Sequence, residues 1–172
     1  RIGIVTISDR ASSGAYEDLS GPAIRDTMKA YLRSPWEEIY QLIPDEQPII
    51  EAALRALCDE QGCCLVLTTG GTGLAPRDVT PEATLAIVDR QVPGIPEAIR
   101  AASLKITDRA MLSRAAAGTR GRTLIINLPG SPKAAKECLE VFLPVLAHAV
   151  ETLRGEAYEC AQPDKSSPIL NN

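Results

Sequence analysis

The stretch 67-LTTGGTGLAPRDVTPE-82 contains the end of an apolar strand, a glycine loop and a helix start in direct succession. Three glycines and three threonines occupy the six successive positions that begin at Thr68. Thr80, Pro81 and Glu82 then supply a capping oxygen, a proline that loses no helical N–H bond and a carboxylate in the first turn. This order predicts an α/β unit whose glycine-rich backbone lies at the carboxyl end of a strand.

The same alternation of strand and helix runs along the chain. Apolar runs that favour strands occupy residues 2–7, 37–43, 63–69 and 123–128. Helical patterns lie between and after them, from Ser20 to about Leu32, at 48–60, from Thr80, at 96–117 and at 133–154, the last bent or interrupted by Pro144. We expect one α/β domain over residues 1–154, an open and mostly parallel sheet with helices on both faces. The polar residues 155–172 are expected to form a C-terminal tail.

The composition of the chain argues against a nucleic-acid-binding protein and against a membrane protein. The chain has 172 residues, of which 45% are hydrophobic, and its net charge is −4. Because it contains no basic block, we expect no binding to nucleic acid. No apolar run reaches the length of a membrane span, so we expect no membrane association either. The five cysteines lack metal-ligand spacing and are expected to be free thiols, which favours a reducing, cytoplasmic location.

Polar and glycine-rich residues follow all four predicted strands. They are Thr6, Ser8, Asp9 and Arg10 after the first, Pro44 and Asp45 after the second, the TTGGTG loop after the third, and 127-NLPGSPK-133 at the fourth. Ligands of open parallel sheets bind beyond the carboxyl ends of the strands. We therefore expect these four segments to surround one site.

Two of these segments are candidate anion cradles. Gly70, Gly71 and Gly73 would let backbone N–H groups approach a phosphate with no Cβ in the way. The loop is not a Walker A motif, because no lysine follows its last glycine. The alternative is a tight turn that needs only positive φ. Gly130 and Ser131 form a second candidate, and its alternative is an ordinary capped helix start.

Two aspartates are candidate metal ligands. Asp78 follows the glycine loop, where a carboxylate beside phosphates is unfavourable unless a cation such as Mg²⁺ intervenes. Asp45 follows the second strand and is a second candidate; the alternatives are a capped turn for Asp78 and a common Pro-Asp turn for Asp45. Arg100, Arg109 and Arg114 lie on the connection before the fourth strand and are candidates to reach a phosphate; the alternative is solvent-exposed charge. The single histidine, His148, lies away from the strand ends, which argues against Ser-His-Asp chemistry.

Three motifs in this order carry a family resemblance. TTGGTG, PRD-x-TPE and NLPGSP together closely resemble the MogA-type molybdopterin adenylyltransferases, which share a molybdopterin-binding fold with MoaB proteins and the G domain of gephyrin. The opening GIVTISDRASSGAYEDLSG, with its Asp18-x-Ser20-Gly21 element, also resembles the start of that family. The similarity runs from about Ile2 to Leu153.

The resemblance implies a cytoplasmic enzyme of molybdenum cofactor synthesis, usually trimeric. Such an enzyme transfers AMP from ATP to the terminal phosphate of molybdopterin, releases pyrophosphate and uses Mg²⁺. The molybdopterin adenylate then passes to a MoeA-type molybdate insertase.

The resemblance also assigns roles to individual residues. Asp45 and Asp78 match the functional aspartates, as catalytic residues and metal ligands. The residues implied for nucleotide and phosphate binding are Thr69, Gly70, Gly71, Thr72 and Gly73. Those implied for the pterin side are Ser8, Asp9, Pro129, Gly130, Ser131, Glu97 and Arg100.

Other members of the fold remain as alternatives. A MoaB-like protein would adenylate or only bind the pterin, and such proteins are often hexamers. A scaffold would carry the fold without activity, but the presence of both Asp45 and Asp78 argues against it. The C-terminal tail favours the MogA type over the MoaB type. An insertase module of the MoeA type would be expected within a longer chain.

Overall fold

The computed structural model of the chain describes residues 1–155. Its strands are β1 (Ile2–Ile7), β2 (Glu38–Ile43), β3 (Leu65–Thr69), β4 (Arg90–Gln91), β5 (Ala117–Arg120) and β6 (Thr123–Leu128). Its α-helices are α1 (Asp9–Ser12), α2 (Ser20–Tyr31), α3 (Gln47–Arg55), α4 (Thr80–Ile87), α5 (Gly94–Ser103) and α6 (Pro132–Arg154). A π-helical turn at Ala56–Glu60 extends α3, and a 3₁₀ segment at Asp108–Leu112 follows α5.

The strands form one six-stranded sheet in the order β2-β1-β3-β6-β5-β4. The first four of these run parallel, and β5 and β4 are antiparallel additions at one edge. The more polar β2 lies at the other edge, which agrees with its alternating exposure. The expectation of an open, mostly parallel sheet is confirmed.

Helices cover both faces of this sheet, as expected. On one face, side chains of α2, α5 and α6 pack against Ile2, Ile4 and Leu67 of the sheet. On the other, side chains of α3 and α4 pack against Val5 and Ile7. Because successive side chains of a strand point to opposite faces, the continuous apolar run of β1 supplies both cores.

The prediction of a largely helical stretch over 96–117, in one or two pieces, holds for α5 and the 3₁₀ segment but was wrong after Leu112. After the 3₁₀ segment the backbone becomes extended, and β5 pairs with β6. The alanines from Ala115 onward favour a helix locally, but Arg114 N–H donates to the Thr72 carbonyl and Ala116 N–H donates to the Asn127 side chain. These long-range bonds override local propensity.

Helix α6 runs through Pro144 without interruption, so of the two predicted outcomes, a bend or an interruption, the interruption was wrong. Pro144 is exposed, while Leu139, Leu143 and Leu146 anchor the helix in the core. Ser131 caps the start of the helix and Gly155 ends it in the left-handed conformation. Packing along this face therefore outweighs the hydrogen bond that the proline cannot make.

Within residues 1–155, no helix combines the length and apolar character that crossing a bilayer requires. The expected polar tail, apart from Gly155, lies outside the described residues, as does Cys160. The other cysteines, Cys58, Cys63, Cys64 and Cys138, are free thiols. Burial raises the pKa of the Cys58 thiol to about 11.

Candidate active site

A cavity of about 280 Å³ lies at the carboxyl ends of the parallel strands. All four segments that follow these strands contribute to it, as the parallel order of the sheet allows. Its lining residues are Thr6, Ile7, Ser8, Ala11, Tyr16, Asp18, Leu19, Ser20, Asp45, Thr69, Gly70, Gly71, Asp78, Gly130 and Pro132.

The glycine loop approaches the protein's own backbone closely. Gly70 has φ +102°, and a Cβ at this position would lie 2.2 Å from the carbonyl oxygen of Ile7. Gly71 has φ +63°, and its Cβ would lie 2.3 Å from Thr80 Oγ1. These two glycines are therefore required by backbone conformation and packing even before any ligand is considered.

Neighbouring threonines hold the loop in place. The buried hydroxyl of Thr80 donates to the Gly70 carbonyl over 2.9 Å, and its backbone N–H donates to the Gly71 carbonyl over 3.1 Å. Thr69 Oγ1 donates to the Pro129 carbonyl over 2.8 Å, which ties the end of β3 to the loop after β6. The loop is thus positioned before a ligand arrives.

Arg114 secures the second half of the loop. Its backbone N–H donates to the Thr72 carbonyl over 2.9 Å, and its Nε donates to the Gly73 carbonyl over 2.7 Å. Its remaining guanidinium nitrogens contact the Asp78 carbonyl and the Glu82 carboxylate. The guanidinium that we considered for phosphate binding is therefore engaged by the protein itself, a role for which the sequence contains no signal.

Asp78 lies against the loop that precedes it. Its Oδ2 accepts the Ala75 N–H over 2.9 Å, and a Cβ on Gly73 would lie 2.8 Å from the same oxygen. The turn-capping alternative is therefore observed. Asp78 also lines the cavity, so its carboxylate has a structural partner and access to a ligand.

Asp45 is linked to the end of β1 by reciprocal hydrogen bonds. Its Oδ2 accepts the Asp9 N–H over 2.8 Å, and its own N–H donates to Asp9 Oδ1 over 3.0 Å. Arg77 binds both oxygens of Asp9 over 2.9 Å and also contacts Glu46. This network holds the Asp45 carboxylate on the cavity wall. The Asp9 side chain does not line the cavity, and its carboxylate is bound by Arg77.

The pKa values of the two linked aspartates, Asp45 and Asp9, are shifted in opposite directions. Burial raises the pKa of Asp45, and the nearby charges of Asp9 and Asp78 raise it further, against the hydrogen bond that Asp9 N–H donates. The hydrogen bonds from Arg77 lower the pKa of Asp9. A cation bound beside Asp45 would relieve the repulsion that raises its pKa.

Asp18 is a cavity residue that we did not place in the site from the sequence. Its carboxylate accepts hydrogen bonds from Thr6 Oγ1, Tyr40 OH, the Ser20 hydroxyl and N–H, and the Gly21 N–H. Burial alone would raise the pKa of Asp18, but these hydrogen bonds together lower it. The Asp-x-Ser-Gly spacing before a helix was the available signal, since it is typical of a helix start.

The remaining predicted pterin residues separate into two groups. Ser8 and Gly130 line the cavity, and Gly130 packs so closely that its Cβ would lie 3.2 Å from Gly70 Cα. Pro129 and Ser131 flank Gly130, and the Ser131 hydroxyl accepts the Ala134 N–H as a helix cap. The other two, Glu97 and Arg100, lie on α5 outside the cavity; Glu97 is exposed, and Arg100 donates to the carbonyls of residues 113 and 115.

The charge of the cavity is acidic. Asp18, Asp45 and Asp78 line it, and no lysine, arginine or histidine does so within residues 1–155. That part of the chain also holds no preformed group of three His, Cys, Asp or Glu side chains placed to bind a metal. Mg²⁺ does not need one, because it is usually held by one or two carboxylates together with substrate phosphates and waters. The residues present therefore fit Mg²⁺ with a phosphate ligand.

Comparison with known proteins agrees with this geometry. Residues 3–148 match the family described as "Probable molybdopterin binding domain". The chain is 49% identical to the molybdopterin adenylyltransferase of Helicobacter pylori over 154 residues, which cover 90% of this chain and 88% of the relative. It is 55% identical to the enzyme of the same name from Escherichia coli over 140 residues, 81% and 72% of the two chains.

A solved structure shows the same architecture. The molybdopterin biosynthesis enzyme MoaB of Thermus thermophilus superposes with a TM-score of 0.84 at 50% identity, covering 92% of this chain and 99% of that one. The family match extends over most of the chain, and the sequence relatives and the fold point to the same family. The chain therefore belongs to the molybdopterin-binding domain family of molybdenum cofactor biosynthesis.

Proposed function

We propose that this chain is a molybdopterin adenylyltransferase, which transfers AMP from ATP to the terminal phosphate of molybdopterin and releases pyrophosphate. The observation that carries the proposal is that a glycine loop held by hydrogen bonds lines the same cavity as Asp45 and Asp78. The relatives from Helicobacter pylori and Escherichia coli bear the name of this activity at 49% and 55% identity.

The reaction needs positioning more than proton transfer. The second pKa of a phosphate monoester is about 6, so the attacking phosphate is mostly ionised near neutral pH. A general base is then unnecessary, which is consistent with the acidic side chains around the cavity. The loop held by Thr80 and Arg114 would fix the nucleotide phosphates relative to the attacking phosphate.

Asp78 and Asp45 would hold Mg²⁺. When bound, the ion would neutralise charge on the triphosphate and favour departure of pyrophosphate. In the absence of a cation, the three carboxylates of the cavity would repel the substrate phosphates. This requirement supports our assignment of both aspartates to the metal.

The remaining residues keep their proposed assignments. We assign the nucleotide phosphates to Thr69, Gly70, Gly71, Thr72 and Gly73, and the pterin to Ser8, Asp9, Pro129, Gly130, Ser131, Glu97 and Arg100. Their position in the cavity lining supports the assignments of Thr69, Gly70 and Gly71 on the nucleotide side and of Ser8 and Gly130 on the pterin side. Asp9, Glu97 and Arg100 have their described polar contacts outside the cavity, so their assignments rest on the resemblance alone.

We further propose that residues 1–154 act as one domain in a cytoplasmic homotrimer that delivers its product to a MoeA-type insertase. An interface between copies is supported by exposed apolar side chains around the 3₁₀ segment, where Ile106 is 60% exposed, Met111 65% and Leu112 51%, and the number of copies rests on the resemblance. The free thiols support a reducing compartment. Sedimentation of the purified chain distinguishes a trimer from the hexamer expected of MoaB types.

The first test is synthesis of molybdopterin adenylate from molybdopterin, ATP and Mg²⁺, with pyrophosphate measured in parallel. We expect product from the parent and at least a hundredfold less from Asp78→Ala, since electrostatic groups of this kind contribute about 10²–10³ in rate. Asp26→Asn, on the exposed side of α2, is the matched control and should retain full activity. Loss of activity in both variants would contradict a specific role for Asp78.

A MoaB-like protein that only binds the pterin is the second candidate, because the chain is 50% identical to the MoaB structure. It predicts no product from the parent while molybdopterin still binds. Such a result would overturn the proposed enzyme and leave the glycine loop as a structural feature of the fold.

A further inference from the structure

Tyr16 is an exposed aromatic residue on the wall of the cavity. It is 51% exposed, and within residues 1–155 no other aromatic side chain lines this cavity. Tyr31 and Tyr40 are also exposed, but neither lines this cavity, so Tyr16 is set apart by its position rather than by its exposure. A half-exposed tyrosine beside a cavity is typical of a surface that binds a ligand rather than of a core.

The ring of Tyr16 is held from one side. The guanidinium carbon of Arg10 lies 5.0 Å from the ring centroid, within the range of a cation–π contact. The Tyr16 N–H also donates to the Arg10 carbonyl over 3.1 Å, and the Gly14 N–H donates to the Ala11 carbonyl over 3.0 Å. The loop after α1 is therefore folded back on itself, and its fixed backbone together with the Arg10 contact lowers the ordering cost of binding at the ring.

The cavity is lined by two chemically different kinds of residue. Tyr16, Ala11 and Leu19 are apolar, and Leu19 is a further large apolar residue with 46% exposure. The glycine loop and the carboxylates of Asp18, Asp45 and Asp78 supply polar and charged groups. A ligand that uses both kinds of lining would carry a weakly polar group together with phosphates.

We propose that Tyr16 is a specificity-determining residue whose ring stacks on the planar nitrogen heterocycle of a substrate. The inference rests on the proposed function, in which both substrates have such a ring, the adenine of ATP and the pterin of molybdopterin. Both rings share the chemistry that an aromatic face recognises, and Tyr16 stacks on one of them while the phosphates of the same reaction face the glycine loop. Stacking of a base on an aromatic side chain contributes about 1–3 kcal/mol, equivalent to about 5- to 150-fold in affinity.

The test measures binding by calorimetry, with each ligand separately and without turnover. The ligands are ATP with Mg²⁺, molybdopterin, and inorganic tripolyphosphate with Mg²⁺, which has no ring. We expect Tyr16→Leu to weaken either ATP or molybdopterin by about 5- to 150-fold and to leave tripolyphosphate within about twofold. Tyr16→Phe, which keeps the ring, should bind all three like the parent. The ligand that loses affinity identifies the heterocycle.

Tyr31→Leu is the matched control, because Tyr31 is 46% exposed on α2 and does not line the cavity. It should change none of the three affinities. If Tyr16→Leu binds ATP as tightly as the parent does, and also binds molybdopterin as tightly as the parent does, the proposal is overturned. An equal loss for tripolyphosphate would also overturn it, because the effect would then be structural.

The proposed function and this inference can fail separately. If the parent makes no adenylate but Tyr16→Leu selectively weakens a ring-bearing ligand, the adenylyl transfer is wrong and the stacking role stands. If adenylate forms at the same rate and with the same KM for both substrates in Tyr16→Leu, the enzyme stands and the stacking role is wrong.

Discussion

Gly70→Ala is expected to destabilise the protein because of the Ile7 carbonyl. Two costs apply to the added methyl group. A left-handed conformation costs a non-glycine residue about 1–2 kcal/mol, and here φ is +102°. A Cβ only 2.2 Å from a backbone oxygen also forces the strand end to move, for which overpacking costs of about 1–3 kcal/mol are typical. Together they predict a loss of about 2–5 kcal/mol in the free energy of unfolding.

Gly62→Ala separates the two costs. Gly62 has φ +62°, so an alanine meets the same kind of conformational strain, but nothing lies within 4 Å of its Cβ. We expect this control to lose about 1–2 kcal/mol. The entropy that alanine removes from the unfolded chain is similar at both positions and cancels in the comparison. The difference of about 1–3 kcal/mol then reports the close approach to Ile7 alone.

Urea unfolding of the two variants and the parent is the assay, with the midpoint and slope fitted for each. An unchanged slope shows that the comparison concerns stability rather than the compactness of the unfolded state. If both variants lost the same free energy, packing against Ile7 would not be the reason for a glycine at position 70. Glycine would then be required at position 70 only because of the positive φ angle.

Two further predictions concern hydrogen bonds around the site. Thr80→Val should lower the free energy of unfolding in urea by about 1–3 kcal/mol, because the buried Gly70 carbonyl loses its hydroxyl donor. Thr27→Val is the control, since the Thr27 hydroxyl donates to a carbonyl within its own helix, and it should cost less than half as much. Equal losses in the two variants would contradict the reasoning. Asp18 has a lowered pKa, so its contribution to stability is fully present above its unfolded pKa of about 3.9 and is lost as pH falls through its lower folded pKa. Asp18→Asn should therefore be less stable than the parent at pH 7 and lose less stability between pH 5 and pH 2, whereas parallel pH curves from thermal unfolding would refute this role.

The parts of the fold with strong local signals were predictable. The four apolar runs, the helix start at Thr80 and the parallel order of the strands follow from side-chain periodicity and from residues that act within one turn. The convergence of the strand ends on one cavity follows in turn from that order. Asp78 could be selected because it follows the glycine loop, and Asp45 because it follows the second strand. The structure places both on the cavity wall, and their role as metal ligands stays a prediction.

The parts decided by tertiary structure depend on residues far apart in the chain. Alanines after Arg114 favour a helix by themselves, yet bonds to Thr72 and Asn127 make this segment extended. The network that joins Arg77, Asp9 and Asp45 likewise forms only when the ends of two strands meet the loop after a third. No local pattern encodes such contacts.

The glycine loop shows both levels at once. Composition and order along the chain were sufficient to predict a strand, a tight loop and a helix, because these elements depend on neighbours in the sequence. Why Gly70 cannot be another residue is decided by the Ile7 carbonyl, which parallel pairing of β1 and β3 brings beside it. Local propensity determined which elements form, and only the packing of those elements decided which atoms meet at the site.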